Sequence, residues 1–155
     1  TGGLAYAAMR SQLKHDRLSR SAEARRQACL HLWNAYWSAT NFFATQSATL
    51  RKEAFVSGIR LRMDEFAAAV AEVRLMCSSE VVERATEVSE AVTRVSDVAV
   101  DAISRESERP PIGRFLSGRP LPAIQAPGYQ EAMKGLSEAS TAFIEAARRD
   151  IELHA

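Results

Sequence analysis

The sequence predicts an all-α protein, an up-down-up-down antiparallel four-helix bundle with an extended first helix and a Pro-rich loop before the last helix. Three observations lead there. All five prolines fall between Pro110 and Pro127, so the preceding 109 residues lack the residue that most strongly breaks helices. Apolar residues recur at spacings of three and four in four segments, each about 24 to 28 residues long, or about 36 to 42 Å at the helical rise. Between Gln27 and Leu50 no Lys, Arg, Asp or Glu appears, while five of the eleven aromatic residues gather there. A helix enclosed by partners is written this way.

The first 26 residues read as a basic helical extension that the bundle is too short to cover. They carry Arg10, Lys14, Arg17, Arg20, Arg25 and Arg26, with Leu13 and Leu18 as the large apolar residues after Met9. That pattern lacks the continuous seam of a strong coiled coil. A basic strip just after the apolar Gly2 to Met9 stretch fits the cytoplasmic flank of a membrane span, where each Lys or Arg near an anionic surface contributes about 1 kcal/mol. The alternatives are a solvated charged helix and an ordinary processed N-terminus. The sequence opens on Thr1 and contains no apolar run of about 20 residues, so a fragment lacking its span also stays open.

Residues 27–155 then form the bundle domain. In its first helix one stripe comprises Cys29, Leu32, Tyr36, Thr40, Phe43, Ser47 and Leu50, and a second comprises Leu30, Trp33, Trp37 and Ala44. Two adjacent stripes predict neighbours on two sides. A turn near Ser47 to Lys52 leads to a single stripe of Phe55, Ile59, Met63, Phe66, Val70, Val73 and Cys77. Ser78, Ser79 and Glu80 supply an N-cap with an acid in the first turn, unless Cys77 to Glu80 is only a kink in one longer helix. The third stripe is Val81, Ala85, Val88, Val92, Val95, Ala99 and Ala102. The last helix starts near Gly128, with Tyr129, Met133, Leu136, Ser140, Phe143, Ala147 and Ile151 on one face and Arg148 and Arg149 complementing the dipole at its end.

The connection over residues 108–127 is long for a compact domain. Phe115, Leu116, Leu121 and Ile124 can pin it across the bundle as a lid. Its Arg119-Pro120-Leu121-Pro122 resembles the start of a polyproline ligand, but Gln125 stands where such a motif needs its next proline.

The formal charge of +1 conceals a division: residues 1–62 sum to +7, residues 63–109 to −6 and residues 110–155 to zero. A basic helix beside an acidic one accounts for this as readily as a steered partner. Two cysteines without C-x-x-C spacing argue against a disulfide scaffold or metal site and for a reducing, cytoplasmic setting. If the first two bundle helices turn near residue 52, Cys29 lies level with residue 75, close to Cys77, which predicts two neighbouring buried thiols, with a disulfide between them as the lesser alternative because facing helix axes only sometimes bring Cα atoms near enough.

Chemistry is sparse. His15, His31 and His154 lack the Glu three residues earlier that dimetal bundles use, and Asp150 with His154 offers only a single pair. No Gly-rich phosphate loop, nucleophile elbow or paired carboxylate motif occurs. Cys29 and His31 diverge around the helix, which leaves His31 as a hydrogen-bonded boundary histidine. Near-neutral charge and a basic helix without interleaved aromatics argue against nucleic acid. These observations predict no enzyme, no metal and no cofactor.

The order of features resembles a group of uncharacterised actinobacterial proteins with a short N-terminal membrane segment, a basic helix and a small helical domain. The matching pieces are GGLAYAAMRSQL, RRQACLHLWNAY, FAAAVAEVRLMCSSEVVERA and AFIEAARRDIEL. The resemblance implies a cytoplasm-facing domain at the inner face of the plasma membrane. The expected function is a non-enzymatic protein-interaction or scaffold module that binds a protein partner, a second copy or a membrane surface through its basic helix. The alternative is a small-molecule sensor with a pocket among Trp33, Tyr36, Trp37 and Phe43.

Overall fold

The computed structural model describes residues 2–46, 52–108 and 126–154, and every regular element among them is an α-helix. α1 runs from Gly2–Gln46, α2 from Lys52–Met76, α3 from Ser79–Glu108 and α4 from Tyr129–His154. α1 packs on α2, α2 on α3 and α3 on α4, while α4 returns to α1, which also touches α3. Those are the contacts of a bundle.

Helical periodicity accounts for the core. Phe55, Ile59, Phe66, Val70 and Val73 of α2 are buried as their spacing predicts, as are Val81, Ala85, Val88, Val92, Val95 and Ala99 of α3. From α4 come Tyr129, Leu136, Phe143 and Ala147. Buried Thr40 and Ser140 satisfy their hydroxyls within their own helices, donating to the carbonyls of Tyr36 at 3.1 Å and Ser137 at 2.9 Å.

One expectation holds only in part in α1: it has neighbours on more than one side, but of the second stripe Trp33 alone is partly buried, while Ala44 is exposed and Leu30 and Trp37 are 39% and 48% exposed. Ala28, Ala35 and Ala39 occupy buried positions alongside Leu32 and Phe43 instead. Small side chains allow closer approach between helices than indoles do, and that decides which face turns inward.

At the far end of this interface the Phe42 ring stacks on Phe55 at 5.3 Å, and the Arg62 guanidinium lies 5.3 Å from its centroid. Gly58 makes room for it, since a Cβ there would overlap the Phe42 ring. Near the opposite end, α2 and α3 are joined by Cys77 and Ser78 alone. The Cys77 N–H donates to the Val73 carbonyl at 2.9 Å and the Val82 N–H to the Ser78 carbonyl at 3.0 Å, so one helix closes as the next opens. Side-by-side packing of α2 and α3 excludes the continuous-helix alternative.

Residues 109–125 lie outside the described residues, and with them the lid positions and the polyproline-like stretch. Just after them, Gly128 adopts φ +84°, a left-handed conformation that suits glycine, and α4 follows at once.

Candidate functional site

The extension is continuous with the bundle helix, and α1 spans 45 residues, about 68 Å at the helical rise. Residues 2–21 are all exposed. Leu4, Tyr6, Met9, Leu13 and Leu18 each show more than half their surface to solvent. Tyr6, Met9 and Leu13 follow at spacings of three and four, and Arg17 and Arg20 continue the same side toward the bundle. The segment therefore presents an apolar far half and a basic near half. Four basic residues stand against the single acid Asp16 in this stretch.

The six basic residues expected to act together divide into two sets. Arg10, Lys14, Arg17 and Arg20 stay on the exposed helix. Arg26 is exposed and lies 3.7 Å from Glu23. Arg25 turns inward: its Nη1 donates to both carboxylate oxygens of Asp150, at 3.1 and 3.0 Å, and the Asp150 side chain is only 3% exposed. This removes Arg25 from the basic surface and makes it the last polar anchor before the helix leaves the bundle. Asp150 also accepts the Ser78 N–H at 3.3 Å, and His154 Nδ1 lies 3.4 Å from its Oδ1. One carboxylate thus ties α1, the α2–α3 turn and the end of α4 together.

The two thiols sit against this network. Cys29 Sγ and Cys77 Sγ are 3.8 Å apart, and Cys77 Sγ lies 3.9 Å from the Arg25 carbonyl. Both are free cysteines; Cys29 is buried as expected, whereas Cys77 at the turn is only half-buried. The hydrogen bond from Cys29, helped by the Arg25 guanidinium, holds the Cys77 thiol below its usual range against burial and the Asp150 and Glu72 carboxylates. Cys29 is driven strongly upward, first by that hydrogen bond and then by burial and the charges of Cys77 and Asp150. Of the two sulfurs, Cys77 is the more accessible.

The aromatic set separates as well. Trp33 and Tyr36 stack at 5.1 Å, and Trp37 meets both edge-on at 5.7 and 5.6 Å. Of these rings Trp37 is exposed, Trp33 is partly buried and Tyr36 packs against the core, whereas Phe43 is fully buried and meets Phe42 edge-on. Of the four, Trp33 lines a groove of about 600 Å³ between α1 and α4, together with Cys29, Leu30, Phe143, Ile144 and Ala147. Arg26, Arg148 and Glu152 supply its charged positions. His31 pairs across the α1–α2 contact with Glu72 at 2.7 Å, a boundary position.

Among the described residues no group of three or more His, Cys, Asp and Glu is placed to hold a metal ion, and no helix is long and apolar enough to cross a membrane. Comparison with protein-family models, curated proteins and solved structures finds no match to this chain.

Proposed function

We propose that this chain is a non-enzymatic protein-interaction or scaffold module that docks through the projecting part of α1. The observation carrying this reading is the run of twenty helical residues, 2–21, exposed throughout and bearing five large apolar side chains. A helical segment without tertiary contacts lacks the packing of an apolar face that supplies most helical stability in proteins. Burying one Leu or Met side chain contributes about 1.5 to 3 kcal/mol, so a partner covering Tyr6, Met9 and Leu13 gains substantially. Arg10, Lys14, Arg17 and Arg20 suit that partner to an acidic surface.

The supporting scaffold in this reading is an up-down-up-down antiparallel bundle with its Pro-rich loop before α4. Phe42 meets Phe55 while Cys29 meets Cys77, Glu80 pairs with Arg149, and Arg25 pairs with Asp150. The end of α1 meets the start of α2, the start of α3 meets the end of α4, and the point where α1 enters the bundle meets the ends of α2 and α4, which supports that course. Placement beside the inner face of a membrane belongs to the same reading, and the apolar far half and basic near half of the projecting helix support it.

The test compares the full chain with one lacking residues 1–21. Light scattering after size exclusion reads self-association, and co-sedimentation with anionic and neutral vesicles reads surface binding. The proposal expects the full chain to engage a second copy or the anionic vesicles and the truncated chain to engage neither. A truncated chain that associates as well as the full chain contradicts it.

A small-molecule sensor is the second reading, favoured by the groove at Trp33, whose volume lies within the usual range for ligand sites. Thermal-shift screening of the full chain and of Trp33→Ala separates the two, because a scaffold shows no stabilisation by small ligands.

A further inference from the structure

Cys29 and Cys77 meet where three helices converge. Their sulfurs stand 3.8 Å apart, an ordinary contact distance for unbonded sulfurs, so no heavy atom lies between them. A bond at about 2.05 Å requires them to close by about 1.8 Å. The Cys77 backbone is held by the Val73 carbonyl and its neighbour Ser78 by Asp150, so that closure falls on side-chain rotation and small helix shifts. The two thiols differ in access: Cys77 is half-buried at a helix junction, and Cys29 is buried behind it. This is the arrangement of an attacking sulfur and a resolving sulfur.

We propose that Cys29 and Cys77 form a reversible disulfide under hydroperoxide, stapling α1 to the α2–α3 turn beside the point where the projecting helix leaves the bundle. The Cys77 thiolate attacks the terminal, hydroxyl-bearing peroxide oxygen; an S–O bond forms to give the sulfenic acid, the O–O bond breaks, and the departing alkoxide, or hydroxide from hydrogen peroxide, takes from solvent the proton that the thiol had released and leaves as an alcohol or water. The Cys29 sulfur then attacks the Cys77 sulfenic acid. The S–S bond forms, the S–O bond breaks, and the Cys29 proton goes to the departing hydroxyl, which leaves as water. Two sulfurs have given two electrons to one peroxide, and a dithiol reductant reverses the change. Cys29 lies one helical turn beyond Arg25, so the staple fixes the base of α1 to the same turn that Asp150 holds.

This inference stands apart from the reading of the projecting helix, and its test does not use binding. The full chain is treated with equimolar hydrogen peroxide, and non-reducing peptide mapping with intact mass is read beside circular dichroism. The expected product is an intrachain Cys29–Cys77 peptide, a mass lower by two hydrogens, an unchanged helical signal and full reversal by dithiothreitol. With Cys29→Ser, a dimedone probe labels Cys77; with Cys77→Ser, Cys29 stays unlabelled. Cys29→Ala serves in place of Cys29→Ser if the latter loses its helical signal. Thiols that both remain free, labelling that reaches Cys29 first, sulfinic acid at Cys77 in the presence of Cys29, or a disulfide formed only with loss of helix each overturn the proposal.

Discussion

Arg25 and Asp150, separated by 125 residues, meet at 3.0 Å with the carboxylate almost wholly enclosed. The pair fixes where α1 stops being bundle and becomes extension. Removing one partner of a buried ion pair leaves the other uncompensated, which is far costlier than losing a surface pair. Asp150→Ala is therefore expected to lower stability by about 3 kcal/mol, since Ser78 loses its acceptor as well. Arg10→Gln, Lys14→Gln and Arg17→Gln are each expected to change it by less than about 0.5 kcal/mol. Urea unfolding followed by circular dichroism measures the contrast, and equal effects at Arg17 and Asp150 remove the distinction between anchor and exposed strip.

The aromatic residues give a second contrast. Phe43→Ala empties a fully buried site and is expected to cost about 3 to 5 kcal/mol. Trp37, nearly half exposed, has less to lose, and Trp37→Ala is expected to cost less than about 1.5 kcal/mol despite removing the larger ring. Thermal and urea unfolding of the two variants report the order directly.

Much of the bundle was legible because burial in α2, α3 and α4 follows helical spacing from Phe55 to Val73, from Val81 to Ala99 and from Tyr129 to Ala147. The opposition of Cys29 and Cys77 was legible from hairpin geometry alone. In α1 the first stripe was legible at Cys29, Leu32, Thr40 and Phe43, while the second misled at Leu30 and Trp37, because Ala28, Ala35 and Ala39 carry little hydrophobic signal and still take the inner positions. Arg25 looked like one of six equivalent cations, and nothing local to it reveals Asp150 across the fold. Arg149 likewise matched a helix-end cation in sequence, while in space it reaches Glu80 at 2.6 Å.

The thiols should also differ in solution. Alkylation requires the thiolate, so a thiol held below its usual range reacts at lower pH. Cys77 is expected to react with iodoacetamide before Cys29, with the midpoint of its pH profile below that of an ordinary cysteine. Cys29→Ala removes the hydrogen bond that lowers Cys77 most, and the midpoint should rise; Arg25 still favours the thiolate, while Asp150 and Glu72 oppose it. Mass spectrometry of quenched time courses reads both sites, and equal rates or an unmoved midpoint contradict this account of the pair.

The central claim is that the bundle is complete without the far part of α1 and that the projecting helix exists for a partner. Because Arg25 belongs to the bundle, the informative cut lies before it, after Ser21. Size exclusion with light scattering and vesicle co-sedimentation of the 22–155 chain, alongside its urea unfolding, tests that claim most directly. The account predicts a folded helical domain whose unfolding free energy matches the full chain within about 0.5 kcal/mol and which no longer self-associates or binds anionic vesicles. A truncated chain that unfolds, or one that binds as well as the full chain, contradicts it.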